Sequence, residues 1–173
     1  MKKLVVLLMM VLIFSLTGCT EEKVVEDDKE PVVEDLVVDK SDEEISKDEP
    51  YDIVIYVPDE NFNGLEKKGV TIDARDASLM LEALKEEGVV SKDCELISLT
   101  ADKDNVEADF NSAFGEYLRN MGTSGEYLVL GSIVNTYLDA FESHAMHITV
   151  EGEVLATGHN IYEGYMTRFE LNQ

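Results

Sequence analysis

The sequence predicts an α+β fold: a small two-layer domain whose antiparallel or mixed sheet carries two to three helices on one face, preceded by a disordered acidic linker. Three observations predict it. Over residues 51–173, runs of β-branched and aromatic residues alternate with runs of helical apolar spacing. The strand-like runs are joined mostly by tight turns, which favours α+β over a wound βαβ sheet. Residues 20–50 have a composition that cannot build a core.

Residues 1–18 read as a signal peptide. Lys2 and Lys3 give a basic start, and residues 4–14 are unbroken apolar. That run is shorter than the roughly 20 residues a spanning helix needs. Leu16-Thr17-Gly18-Cys19 then resembles the lipobox of bacterial lipoproteins. Leucine fills a hydrophobic peptidase subsite, and two small residues let the backbone approach. Only the thiol of Cys19 can take a thioether-linked diacylglycerol. Cys19 is therefore the expected lipidation site and the start of the mature chain. Two or more acyl chains, palmitate among them, hold a protein stably at a membrane. The expected location is the extracytoplasmic face of the cell membrane. Cys94, the other of the two cysteines, is left without an internal partner and reads as a small buried side chain.

Residues 19–50 read as the lipidated cysteine and a spacer. Residues 20–50 hold 14 acids against four bases, with two prolines, no glycine and no aromatic residue. The Val-Val pairs at 24–25, 32–33 and 37–38 keep neither a helical nor a strand period. Such a segment buries too little apolar surface to offset its ordering entropy, and its like charges extend it. It lifts the domain away from the membrane.

The folded domain is expected over residues 51–173. Ile53, Val54, Ile55, Tyr56 and Val57 make a strand over 52–57, with Pro58 ending its ladder. Residues 59–69 read as a polar loop, followed by a short strand over 69–72. Asp73 is placed to cap a helix over 74–87, with Ala77, Met80, Leu81 and Leu84 on one stripe and Gly88 as terminator. Residues 95–100 and 106–110 form a hairpin turned by Asp102-Lys103-Asp104-Asn105. A short helix over 113–121 follows. A longer one over 126–141 carries Tyr127, Leu130, Val134, Tyr137, Leu138 and Phe141 on one face. Residues 147–150 make a strand that turns at Glu151-Gly152-Glu153 and returns through Val154-Leu155. The last fifteen residues are too aromatic for a solvated tail and are expected to pack on the domain.

These landmarks, in this order, resemble the GerMN domain, the sporulation and spore germination family. The resemblance rests on Tyr56-Val57-Pro58-Asp59-Glu60-Asn61, Leu81-Glu82-Ala83-Leu84, Val106-Glu107-Ala108-Asp109-Phe110-Asn111 with Phe114, Ser132-Ile133-Val134-Asn135-Thr136, and Ile148-Thr149-Val150-Glu151-Gly152-Glu153. It covers roughly residues 52 to 156. It implies a small α+β domain of envelope lipoproteins, linked to sporulation, germination and cell-wall processes, with no catalytic residue to carry over. Asn135 and Thr136 stand out, and their simplest role is bridging within the domain.

Little else in the chain points to chemistry. Asp59-x-Asn61-x-Asn63-Gly64 copies half of a calcium loop, but Val70 stands where a bidentate glutamate is required, so a turn is the better reading. His144, His147 and His159 come without a zinc ligand set. Gly131-Ser132 lacks the flanking glycine of a nucleophile elbow. No catalytic residue, metal or cofactor is expected. With 37 acids against 14 bases the formal charge is −23, which argues against nucleic acid and favours a basic envelope protein as partner. The expected function is therefore a lipid-anchored, non-enzymatic binding or assembly module of envelope, sporulation or germination processes. The alternatives are a small-ligand or peptidoglycan-binding lipoprotein, and a wall hydrolase working through two carboxylates.

Overall fold

The computed structural model describes residues 50–171. The expected signal peptide, Cys19 and all of the spacer but Pro50 lie outside the described residues. The α+β class holds, and the strands divide between two sheets.

The first sheet is a hairpin of β1 (Tyr51–Pro58) and β2 (Leu65–Ile72) in continuous antiparallel register. The loop between them is short, 59–64, because the polar run Leu65 to Lys68 is strand rather than the expected loop. Glu66, Lys67 and Lys68 pair with β1 while their side chains stay in water, and only Leu65 turns inward, so no apolar alternation marks the run. The loop is set by the Asp59 carboxylate, which accepts from the N–H groups of Asn61 (2.9 Å) and Asn63 (3.0 Å). The half calcium motif thus serves as a turn.

Helix α1 (Ala77–Glu86) starts three residues later than expected. Its cap is Asp76, not Asp73: the Asp76 carboxylate accepts from the N–H of Ser78 (2.8 Å) and Leu79 (3.3 Å). Two aspartates three apart made the wrong one plausible. Gly88 ends the helix at φ +74, a conformation that costs glycine nothing.

The second sheet contains β3 (Leu96–Ala101), β4 (Asn105–Phe110), β5 (Ala145–Val150), β6 (Glu153–Ala156) and β7 (Ile161–Tyr162), side by side in chain order. All pairs are antiparallel except β4 and β5. That parallel step is bridged by α2 (Ser112–Arg119) and α3 (Thr123–Ala140). Asn111 caps α2, and α3 opens at Gly122, ahead of the expected start. The β5–β6 turn places Glu151 and Gly152 at φ 53 and 77, as a primed two-residue turn requires.

Helix α3 is buried on nearly every side from Glu126 to Leu138 and packs against both β1 and β5. It is the centre of the core, so its expected single apolar face understated its burial. The chain end packs on the domain as anticipated. Met166 bridges to Met146, and the Phe169 ring meets Tyr127 edge-on at 5.0 Å. Gly131 makes room for this: a Cβ there would lie 2.8 Å from Leu65 Cδ1 and 3.1 Å from Phe169 Cβ.

Candidate functional site: the uncovered face of the five-stranded sheet

Strands β4 and β5 alternate strictly. Val106, Ala108, Phe110, Met146 and Ile148 face the helices and are buried. Glu107, Asp109, His147 and Thr149 face the other way and stay half-buried. The parallel register sets Glu107 beside His147 and Asp109 beside Thr149. Val154 on β6 continues the second row by pairing with Thr149, and it is 45 % exposed. Ile161 lies beyond, 68 % exposed.

His147 Nδ1 lies 3.1 Å from Glu107 Oε2, and the Tyr165 hydroxyl donates to the other carboxylate oxygen of Glu107. The Tyr165 ring leans on the imidazole at 5.6 Å between centroids. The hydrogen bond to Glu107, more than burial, raises the Tyr165 hydroxyl above its ordinary pKa. Beside this trio, Asp109 Oδ1 accepts from Thr149 Oγ1 (2.7 Å) and from the Gly152 N–H (2.8 Å). A recess of about 240 Å³ opens next to Tyr165, with Thr100, Asp102 and Asn105 on its walls. Backbone N–H groups of Asn105 and Asp104 hold the Asp102 carboxyl below its usual range.

The other singled-out residues are dispersed. His159 Nε2 lies 3.1 Å from the Met121 carbonyl, and His144 is exposed ahead of β5. Among the described residues no three His, Cys, Asp or Glu side chains gather in a metal-binding group. Cys94 is fully buried, and desolvation raises its thiol above the ordinary value. Thr136 Oγ1 accepts from the Tyr56 N–H at 3.0 Å. Asn135 reads the backbone of Phe169 in both directions: Oδ1 accepts from its N–H (2.8 Å) and Nδ2 donates to its carbonyl (3.0 Å). Both residues are bridges, as expected.

The sequence did not single out Glu107 and Tyr165. Their meeting with His147 depends on the parallel β4–β5 register and on where the chain end lies, and neither leaves a local signal. It also missed Glu126, buried to 1 % exposure, whose Oε1 accepts from the Tyr162 hydroxyl (2.6 Å) and Asn160 Nδ2 (3.3 Å). Burial, then the Glu126 contact, push the Tyr162 hydroxyl up to about 12.

The family described as Germane, sporulation and spore germination, matches residues 54–156, more than half of the chain. The protein belongs to this sporulation and spore germination family. A solved structure of the tandem GerMN domains of the sporulation protein GerM from Bacillus subtilis is similar in fold. It is 18% identical over 72% of this chain and 47% of that one, with a TM-score of 0.52. This chain therefore spans about half of that tandem structure. A crystal structure described as a candidate lipoprotein from Clostridium perfringens is 17% identical over 69% of this chain and 88% of that one, with a TM-score of 0.45. Among curated proteins none matches. No helix among the described residues is long and apolar enough to cross a membrane.

Proposed function

We propose that this member of the sporulation and spore germination family is a lipid-anchored, extracytoplasmic module that works by binding a protein partner rather than by catalysis. The observation that carries the reading is the uncovered sheet face. No helix of the described residues lies over it, and it presents Val154, Ile161 and Tyr165 beside the braced Glu107–His147 pair. Its acids are engaged as cross-strand ties: Glu107 to Tyr165 and His147, Asp109 to Thr149 and Gly152. That arrangement supports a rigid contact surface more than a carboxylate pair free to move protons. The charge of −23 favours a basic partner and speeds its encounter. The lipobox at Cys19 supplies the anchor, and the acidic spacer supplies reach.

In-cell photocrosslinking tests the reading. A photoreactive residue at Val154 is expected to capture one discrete envelope protein, and one at Lys92, off this face, is not. Cys19→Ser is expected to abolish palmitate incorporation and release the chain from the membrane. Equal capture from both positions overturns the docking face. A membrane-bound Cys19→Ser chain overturns the anchor.

A further inference from the structure

The hairpin edge away from β1 is a second place where chemistry points to a ligand. Antiparallel strands alternate between pairs that exchange hydrogen bonds and pairs whose N–H and C=O groups point outward. The phase is fixed here by two observations. The Tyr56 N–H, opposite Lys67, leaves the hairpin for Thr136 Oγ1. The Leu65 N–H, opposite Pro58, leaves it for the Leu171 carbonyl at 2.6 Å. The register is unbroken, so Lys67, Gly69 and Thr71 also point their backbone groups outward. Apart from Leu65, no outward group of β2 has a backbone partner among the described residues.

Helix α1 borders the far end of this edge, and a recess of about 240 Å³ lies between them. Val70, Leu79 and Ala83 give it an apolar floor, and Asp73, Glu82 and Glu86 stand around it. The nearby lysines are already matched: Lys68 meets Glu87 and Lys85 meets Glu82, each at 2.6 Å. Asp73 and Glu86 have no ion-pair partner among the described residues.

We propose that this groove between β2 and α1 binds an extended, basic segment of another protein by strand addition. Backbone groups of Gly69 and Thr71 would pair with the incoming strand. Alternate apolar side chains would enter over Val70, Leu79 and Ala83, and lysine or arginine would meet Asp73 and Glu86. The chain itself shows that an outward N–H of this edge takes a backbone acceptor, since the Leu65 N–H donates to the Leu171 carbonyl. The chain's own acidic spacer is the wrong charge for this rim, and so is a second copy's groove. The site is separate from the sheet face and stands or falls independently of it.

The test uses the purified full chain and three labelled nine-residue probes: alternating Lys and Val, alternating Glu and Val, and the Lys-Val probe N-methylated at every second residue. Saturable binding of the Lys-Val probe is expected, with amide shifts centred on Lys67, Gly69 and Thr71. The Glu-Val probe and the N-methylated probe are each expected to bind at least ~10-fold more weakly, since one lacks the charge and the other the backbone donors. The double variant D73K/E86K, both exposed positions, is expected to weaken the Lys-Val probe by a similar factor. Equal binding of the N-methylated probe overturns strand addition. Shifts centred on β3 or the open sheet face overturn the location. A chain that dimerises alone and becomes monomeric as Gly69→Pro overturns the assigned occupant.

Discussion

At the scale of single residues, the core is pinned by polar side chains that reach backbone. Asn135 is the strongest case, because its amide satisfies both backbone groups of Phe169 at a site only 1 % exposed. Replacing it with alanine leaves an N–H and a carbonyl without protein partners. Asn135→Ala is expected to destabilise the domain by about 1–3 kcal/mol, read as a lower urea midpoint. A midpoint within error of the parent would mean that water replaces the amide fully. The residue stood out in the sequence as a bridge, since a short polar side chain inside an apolar helix needs a partner. What it bridges to lies 34 residues away and was not legible.

At the scale of elements, legibility followed the strength of local periodicity. The β3–β4 hairpin and α1 were readable because apolar spacing and turn chemistry agreed there, and the packing of the chain end was readable from its aromatic residues alone. The first half of β2, Leu65 to Lys68, was not, because an edge strand with lysines in water looks like a loop; its second half, 69–72, was read as strand. The β4–β5 parallel register was not either, since crossovers are decided by how α2 and α3 pack. The β1–β2 turn also hides a strained residue: Phe62 sits at φ 55 and is 69 % exposed as a residue. An aromatic residue in the left-handed region costs roughly 1–2 kcal/mol, and asparagine tolerates it better. Phe62→Asn is therefore expected to stabilise the domain by about 0.5–1 kcal/mol in chemical denaturation. A destabilised variant would mean that the exposed ring makes contacts that outweigh its strain.

At the scale of the whole molecule, alkaline pH should be the weak side. Five of the seven tyrosines, Tyr56, Tyr117, Tyr137, Tyr162 and Tyr165, have hydroxyls raised above the ordinary value of 10.0. Burial leads for the first four, and the Glu107 hydrogen bond leads for Tyr165. Below that ordinary value both folded and unfolded chains keep these protons, so the contribution to stability is complete. Above it the unfolded chain releases protons that the folded chain retains, and the equilibrium moves toward unfolding. The loss continues as pH rises through about 12, the value for Tyr162, and further still for Tyr137. Each tyrosinate also adds to a charge already at −23, which enlarges self-repulsion in the compact state. The expectation is a tyrosinate absorbance titration displaced well above the ordinary range, with loss of helical circular dichroism tracking it. Added salt should move that loss to higher pH by screening the repulsion. Seven tyrosines titrating together near their ordinary value, in a domain that stays folded, would remove this account of how burial and charge combine.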